Sequence, residues 1–208
     1  MNLIGHSQGG LDVRYVAAVR PDLVASVTTI GAPHQGAQVA DYLDANFLNG
    51  GFTQDVIANF ANTLGTVIGL LSGSSNPQDA IAGIRSLTSA RVAAFNASYP
   101  QGLPATPCAA GAALVNGIRY YSWTGTGVLT NGADVFDGAL GVASFFTSEA
   151  NDGLVGRCSA HLGQVIRDDY LFNHLDEVNQ ITALVSAFEA NPLVVFRNHA
   201  NRLKNAGL

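Results

Sequence analysis

Positive charge and long apolar runs are scarce in this sequence of 208 residues. Lys204 is its only lysine, charged residues make up 12% of the chain, and the formal net charge is −5. Nucleic-acid binding needs a basic surface, and so does a polybasic membrane patch, so this composition excludes both. No apolar run reaches the roughly 18 residues that a membrane-spanning helix requires. We therefore expect neither a nucleic-acid partner nor a transmembrane segment.

Cysteine is also rare, with only Cys108 and Cys158 present. Counting alone leaves two interpretations, a pair of buried thiols in a reducing compartment or one disulfide in an exported protein. A disulfide would close a loop of about 50 residues and restrict the unfolded chain by about 4 kcal/mol.

The distribution of hydrophobic residues predicts an α/β fold. They make up 48% of the chain, which excludes disorder, and the length suits a single domain. Strand patterns cover residues 2–5, 23–33, 117–124 and 163–170, and helical patterns cover 9–20, 79–97, 176–188 and 192–206, with 125–151 mostly irregular. Strands that alternate with helices favour a mostly parallel sheet with flanking helices.

A strongly apolar helical pattern covers residues 55–71, between glycine-rich and serine-rich segments. Such a pattern is typical of a buried core helix or of a movable cover over an apolar pocket. The segment by itself favours the core interpretation.

The segment Gly5-His6-Ser7-Gln8-Gly9 matches the G-x-S-x-G motif. It follows an apolar strand and opens a helix, which is the context that a nucleophile elbow requires. We expect glycine at positions 5 and 9 because Cβ atoms there would clash with neighbouring backbone in the tight turn. Ser7 would then lie at the carboxyl end of the sheet, beside a helix N-terminus that favours negative charge. Ser7 is therefore the candidate nucleophile.

A serine nucleophile needs a base, and His174 is the favoured candidate among the five histidines. It follows the last predicted strand, where α/β-hydrolases place their histidine, after the serine and the acid in chain order. Strand alternation predicts that His6 points away from the serine. His34 is better interpreted as a loop or core residue, and His161 and His199 carry no local signal.

Two carboxylates compete for the role of the acid that orients the imidazole. Asp152 lies between the serine and the histidine in chain order, but Asn-Asp-Gly is also typical of a simple turn. Glu177 is the alternative because it lies close to His174 in the sequence.

Several long runs resemble the secreted triacylglycerol lipases of Gram-negative proteobacteria, of the Pseudomonas and Burkholderia type. They cover residues 2–7, 9–36, 120–123, 151–158, 173–180 and 199–205. The resemblance implies one α/β-hydrolase domain over residues 1–208, with residues 51–75 as a helical lid rather than core. It also implies Ser7 as nucleophile, Asp152 as acid and His174 as base, and a disulfide between the two cysteines.

The resemblance further implies one structural calcium ion. Its ligands would be the carboxylates of Asp134 and Asp176 and the main-chain oxygens of Gln180 and Leu184, an all-oxygen set that suits a hard cation. Asp137 is a rival for Asp134. The ion would hold the loop that carries the base.

Relatives of this type carry about 75 further residues before position 1, including strands beside residues 2–5 and a loop that donates one oxyanion-hole amide. The other donor would be the main-chain amide of Gln8. The implied function is cleavage of long-chain triacylglycerols through an acyl-enzyme, in a secreted protein that needs a dedicated folding chaperone. The alternatives are an inactive or weakly active fragment that binds lipid, and a short-chain esterase.

Overall fold

Strands and helices alternate along the chain in the computed structural model, which describes residues 1–48, 80–180 and 183–208. The strands are β1 (Asn2–His6), β2 (Ser26–Ile30), β3 (Leu114–Val115), β4 (Ile118–Gly125) and β5 (Gln164–Tyr170). The helices are α1 (Gln8–Val19), α2 (Gln38–Leu48), α3 (Ala80–Ser86), α4 (Ser89–Ser98), α5 (Asp137–Ser144) and α6 (Pro192–Asn205). None of these helices is long and apolar enough to span a membrane. The predicted helix at 55–71 and the predicted lid at 51–75 lie outside the described residues.

Four strands of the sheet run parallel, in the order β1, β2, β4 and β5, and β3 pairs antiparallel to β4. His6 lies opposite Ile30, and Ile30 lies opposite Trp123. The carboxyl ends of these strands therefore meet at one edge of the sheet, which is where ligands bind in open α/β folds. The predicted α/β class is confirmed.

The central strand β2 is buried on both faces, because helices cover the sheet from both sides. On one face Val27 packs with Ala17 of α1 and with Tyr120. On the other face Ile30 packs with Trp123 and with Val195 of α6. Helix, sheet and helix form three layers, and α1 leads directly from the end of β1.

The helical pattern at 79–97 is interrupted and forms two helices, α3 and α4. The break has a tertiary cause. The Asp41 carboxylate on α2 accepts hydrogen bonds from the main-chain N–H of Ser89 at 2.8 Å and from its hydroxyl at 2.6 Å. These bonds satisfy the start of α4 from outside the helix, so a new helix begins at Ser89.

The prediction of a helix at 176–188 is wrong, because the described residues there form a single 3₁₀ turn at Asp176–Val178. The side-chain oxygen of Asn173 accepts hydrogen bonds from the main-chain N–H groups of Leu175 and Asp176, each at 2.9 Å. Asn179 then adopts a left-handed conformation with φ 59° and ends the turn. This local side-chain bonding competes with helix formation.

Two helices were not predicted, α2 and α5. Helix α5 spans only eight residues within a region rich in glycine, asparagine and aspartate. Its buried apolar side chains, Leu140 and Ala143, belong to two separate hydrophobic clusters of the folded chain. The helix therefore depends on tertiary packing rather than on a strong pattern of its own.

The predicted disulfide is confirmed, because Cys108 and Cys158 are joined in the structure. The bond ties the loop before β3 to the segment that follows Asp152. The Glu149 carboxylate accepts a hydrogen bond from the main-chain N–H of Cys158 at 2.9 Å and supports the same segment.

Candidate active site

Ser7 occupies a sharp turn between β1 and α1. Its backbone has φ 54° and ψ −129°, a conformation that L-residues rarely adopt. The turn is held by two hydrogen bonds, from the N–H of Ser7 to the carbonyl of Ile30 and from the N–H of Gly10 to the carbonyl of Ser7, both at 2.9 Å. The segment therefore has the strained strand-turn-helix geometry of a nucleophile elbow.

The glycines that permit this turn are Gly5 and Gly10, which corrects the expectation for Gly9. A Cβ atom on Gly5 would lie 2.2 Å from the carbonyl oxygen of Gly9, and one on Gly10 would lie 2.3 Å from the Cβ of Ala32. A Cβ atom on Gly9 would meet nothing within 4 Å. The elbow therefore also requires the close contact of Gly10 in α1 with Ala32, which follows β2. A local motif does not reveal this contact.

The structure brings His174 and Asp152 together from two loops. The Nδ1 atom of His174 lies 2.7 Å from the Oδ2 atom of Asp152, and both side chains are buried. The other oxygen of Asp152 accepts hydrogen bonds from the N–H groups of Leu154 at 2.9 Å and Val155 at 2.7 Å. The main-chain N–H of His174 donates to the carbonyl of Asp152 at 2.8 Å. The carboxylate is therefore fixed by its own turn and leaves one oxygen for the imidazole.

Glu177, the competing carboxylate, bonds elsewhere. One of its oxygens accepts hydrogen bonds from the main-chain N–H of Gly125 and from the Thr124 hydroxyl. Its Oε2 atom is buried and has no hydrogen-bond partner among the described residues. Burial and the nearby Asp152 charge raise the pKa of Glu177 well above its usual value. Glu177 therefore does not bond the base in this arrangement.

His6 does not point away from the site as strand alternation predicts. It lines the same cavity as Ser7 and His174. Its Nε2 atom lies 2.9 Å from the main-chain carbonyl oxygen of His174. By contrast, His34 is a core residue as expected, fully buried and hydrogen-bonded to Arg14 and Thr29.

A cavity of about 700 Å³ opens beside Ser7 and His174. Gln8, the first residue of α1, also lines it. Most of the wall is aliphatic. It is contributed by α2, by α3, by one residue next to each of these helices and by the turn after Asp152: Ala37, Val39, Ala40, Leu43, Ile84, Leu87, Leu154 and Val155. Asp12 is the one carboxylate among the described lining residues. The arrangement suits a substrate with an apolar chain attached to a reactive polar group.

Two of the predicted metal ligands carry buried oxygens that lack a partner. These are Oδ2 of Asp134 and Oδ1 of Asp176, neither of which has a hydrogen-bond partner among the described residues. Burial and the charges of Asp137 and Asp134 raise the pKa of Asp176 to about 6. Burial also raises the pKa of Asp134. Two such neighbouring carboxylate oxygens fit a hard divalent cation, which would compensate their charge.

The rival residue Asp137 has no comparable oxygen to offer. Its Oδ2 atom accepts from the main-chain N–H groups of Thr130 at 2.6 Å and Asn131 at 2.8 Å, and its Oδ1 atom accepts from the Asn173 amide at 2.8 Å. Asn173 immediately precedes His174, and sequence reasoning missed it because no motif marks it. Asp137 therefore connects the loop at 130–137 to the loop that carries the imidazole.

The remaining predicted ligands are the main-chain oxygens of Gln180 and Leu184. Gln180 lines the cavity and donates its main-chain N–H to the carbonyl of Leu175 at 3.0 Å. Leu184 follows after residues 181 and 182, which are outside the described residues.

Comparison with known proteins agrees with this geometry. The family profile described as alpha/beta hydrolase fold matches residues 1–184, and the chain therefore belongs to the α/β hydrolase family. The mature lipase of Bacillus licheniformis has a similar fold, with a TM-score of 0.60, 17% identity, and coverage of 98% of this chain and 65% of that chain.

Several sequence relatives belong to the group that the motifs indicate. A triacylglycerol lipase of Vibrio cholerae is 50% identical over 209 residues, covering 100% of this chain and 67% of the relative. A triacylglycerol lipase of Pseudomonas fragi is 45% identical, covering 100% of this chain and 74% of the relative. The predicted resemblance to these bacterial lipases is confirmed, and the chain spans about two thirds to three quarters of their length.

The elbow geometry predicts different effects for three glycine-to-alanine substitutions. Gly5→Ala and Gly10→Ala should each lower the free energy of unfolding by about 1–3 kcal/mol, because each added Cβ is overpacked. Gly9→Ala is the matched control, and it should raise stability by about 0.5–1 kcal/mol because alanine favours a helix and the site is open. Urea unfolding of the three variants measures this. Equal stability of Gly5→Ala and Gly9→Ala would contradict the elbow packing.

Proposed function

We propose that this chain is the catalytic part of a carboxylic ester hydrolase that cleaves long-chain triacylglycerols by a Ser-His-Asp mechanism. One observation carries the proposal: the elbow serine and the buried His174–Asp152 pair line or adjoin the same largely aliphatic cavity. The α/β hydrolase family and the relatives named triacylglycerol lipase support the coarser statement, ester hydrolysis.

In the proposed mechanism His174 acts as general base toward Ser7. The imidazole takes the serine proton while the oxygen attacks the ester carbonyl, and it returns the proton to the departing alcohol. Water then hydrolyses the acyl-enzyme with the same base. Asp152 keeps the Nδ1 proton of His174 in place and stabilises the imidazolium that forms, because its oxygen lies 2.7 Å away.

The tetrahedral intermediate needs donors for its oxyanion. Gln8 starts α1 directly after Ser7, so its main-chain N–H belongs to the helix N-terminus and is the proposed donor. Each oxyanion donor is worth about 10²–10³ in rate. A second donor would come from a loop other than the elbow.

The cavity wall supports a long acyl chain as substrate. Burial of each CH₂ group stabilises the complex by about 0.8 kcal/mol, and the aliphatic residues of α2 and α3 provide such a surface. A short-chain esterase has less use for a cavity of about 700 Å³.

We further propose that Asp134 and Asp176 hold a calcium ion, together with the main-chain oxygens of Gln180 and Leu184. The ion would neutralise two buried carboxylates and hold the 3₁₀ turn that follows His174. Its role would be structural, since neither aspartate lines the cavity and Asp176 lies two residues beyond His174. Export from the cell and a dedicated folding chaperone belong to the same proposal, and the disulfide is consistent with export.

Active-site labelling tests the nucleophile. A fluorophosphonate probe should label the protein, and Ser7→Ala should abolish labelling because Ser7 is the only serine among the described residues that line the cavity. Ser86→Ala is the matched control, because Ser86 is exposed and lies on α3 near the cavity. Labelling that survives Ser7→Ala, or that is absent from the folded wild type, would exclude the mechanism.

A series of soluble p-nitrophenyl esters tests the substrate class. From butyrate to octanoate, kcat/KM should rise by about tenfold or more, because four more CH₂ groups enter the aliphatic cavity. Hydrolysis of emulsified triolein should follow. A maximum at butyrate together with no action on triolein would instead identify a short-chain esterase.

Calcium binding predicts a difference between two neighbouring aspartates. Excess calcium should raise the melting temperature of the wild type, since a ligand at 100 times its Kd stabilises by about 2.7 kcal/mol. Asp134→Asn should remove most of this rise, and Asp137→Asn should keep it. Calorimetry with calcium or with EDTA measures the melting temperature of both variants and of the wild type. A wild-type melting temperature that EDTA does not change would disprove the site.

A further inference from the structure

The side chain of His6 crosses from the nucleophile strand to the loop of the base. Its Nε2 atom lies 2.9 Å from the carbonyl oxygen of His174, and the two imidazole rings lie 4.5 Å apart at an angle of 41°. Its side chain is only 13% exposed. His6 is covalently attached to Ser7, so this contact joins the two reacting residues through one side chain.

The hydrogen-bond partner shows which ring nitrogen of His6 carries a hydrogen. A carbonyl oxygen only accepts, so Nε2 carries the hydrogen and donates it. Burial, and then the charge of His174, lower the pKa of His6 well below 6.5, so the ring is neutral at pH 7. The Glu177 carboxylate faces the same nitrogen at 3.6 Å. His6 is therefore a neutral donor rather than a second base.

This bond completes the restraint of His174. Its main-chain N–H donates to the carbonyl of Asp152, its ring bonds the carboxylate of Asp152, and its carbonyl accepts from His6. The hydrogen bond from His6 links His174 to the strand that leads into Ser7, so it fixes the position of the imidazole relative to the serine.

We propose that His6 is a positioning residue that sets the placement of the His174 imidazole relative to Ser7 by holding the main-chain carbonyl of His174. The inference rests on the proposed function of Ser7 and His174. A general base displaced by about 1 Å costs up to about 10² in rate, so the bond has a kinetic consequence beyond stability.

Three substitutions of His6 separate the donor from the ring. Glutamine places an amide nitrogen four bonds from Cα, as Nε2 is, whereas the asparagine amide is one bond shorter, and phenylalanine keeps a ring without a donor. His6→Gln should keep kcat on a soluble octanoate ester within about threefold, and His6→Asn and His6→Phe should lower it by about 10–100-fold. KM should stay within about twofold for all three, because the acyl chain contacts the aliphatic wall.

Substitutions of a second buried histidine provide the control. His199 is fully buried, its Nε2 atom lies 2.8 Å from the Thr28 hydroxyl, and it does not line the cavity beside Ser7. His199→Gln and His199→Phe should lower the melting temperature and leave kcat within about twofold. The His6 variants should instead lose kcat at temperatures where circular dichroism shows them fully folded.

The outcomes distinguish the two proposals. Equal kcat values for wild type, His6→Asn and His6→Phe would overturn the positioning role, as would an equal loss in all three His6 variants. If Ser7→Ala remained active, the proposed function itself would fail. If activity depended on Ser7 but not on His6, the proposed function would stand and only the positioning role of His6 would be excluded.

Discussion

The hydrogen bond between the His174 imidazole and the Asp152 carboxylate is the interaction on which the site depends. Both groups are buried, and an imidazolium formed there without a partner would carry the cost of an unpaired buried charge. Asp152 meets this need because the N–H groups of Leu154 and Val155 hold its other oxygen. Its remaining oxygen therefore faces the imidazole in a fixed orientation, ready for the charge that appears during the reaction.

Hydrogen bonds join the loop that carries His174 to the loop at 130–137, which contains Asp134. Asn173 bonds the Asp137 carboxylate and also caps the turn after His174. Asp176, two residues beyond the base, is buried with an oxygen that has no partner among the described residues, and its pKa is raised to about 6. Loss of the proposed calcium ion would therefore disturb the 3₁₀ turn after His174 and, through this turn, the position of the base.

Secondary structure was predictable where one segment held a complete pattern. The strands at 2–5 and 117–124 and the helix at 192–206 have strong periodicity and clear ends, and they appear close to their predicted bounds. Helix α5 has too few residues to show a period, and the segment at 176–188 has a helical pattern that Asn173 and Asn179 override. The predicted direction of the His6 side chain was also wrong. That prediction relied on strand alternation, which ends at the sharp turn of Ser7.

The sequence by itself determined the nucleophile candidate, the α/β class and the chain order of serine, acid and base, since these depend on neighbouring residues and on local periodicity. Only the tertiary structure decided which carboxylate bonds His174, which aspartate keeps an unpartnered oxygen and which glycines the elbow needs. Those choices depend on contacts between segments far apart in the chain, such as Gly10 with Ala32 and Asp152 with His174. A local pattern carries no information about such contacts, because their distances are set by how the sheet edge brings the loops together.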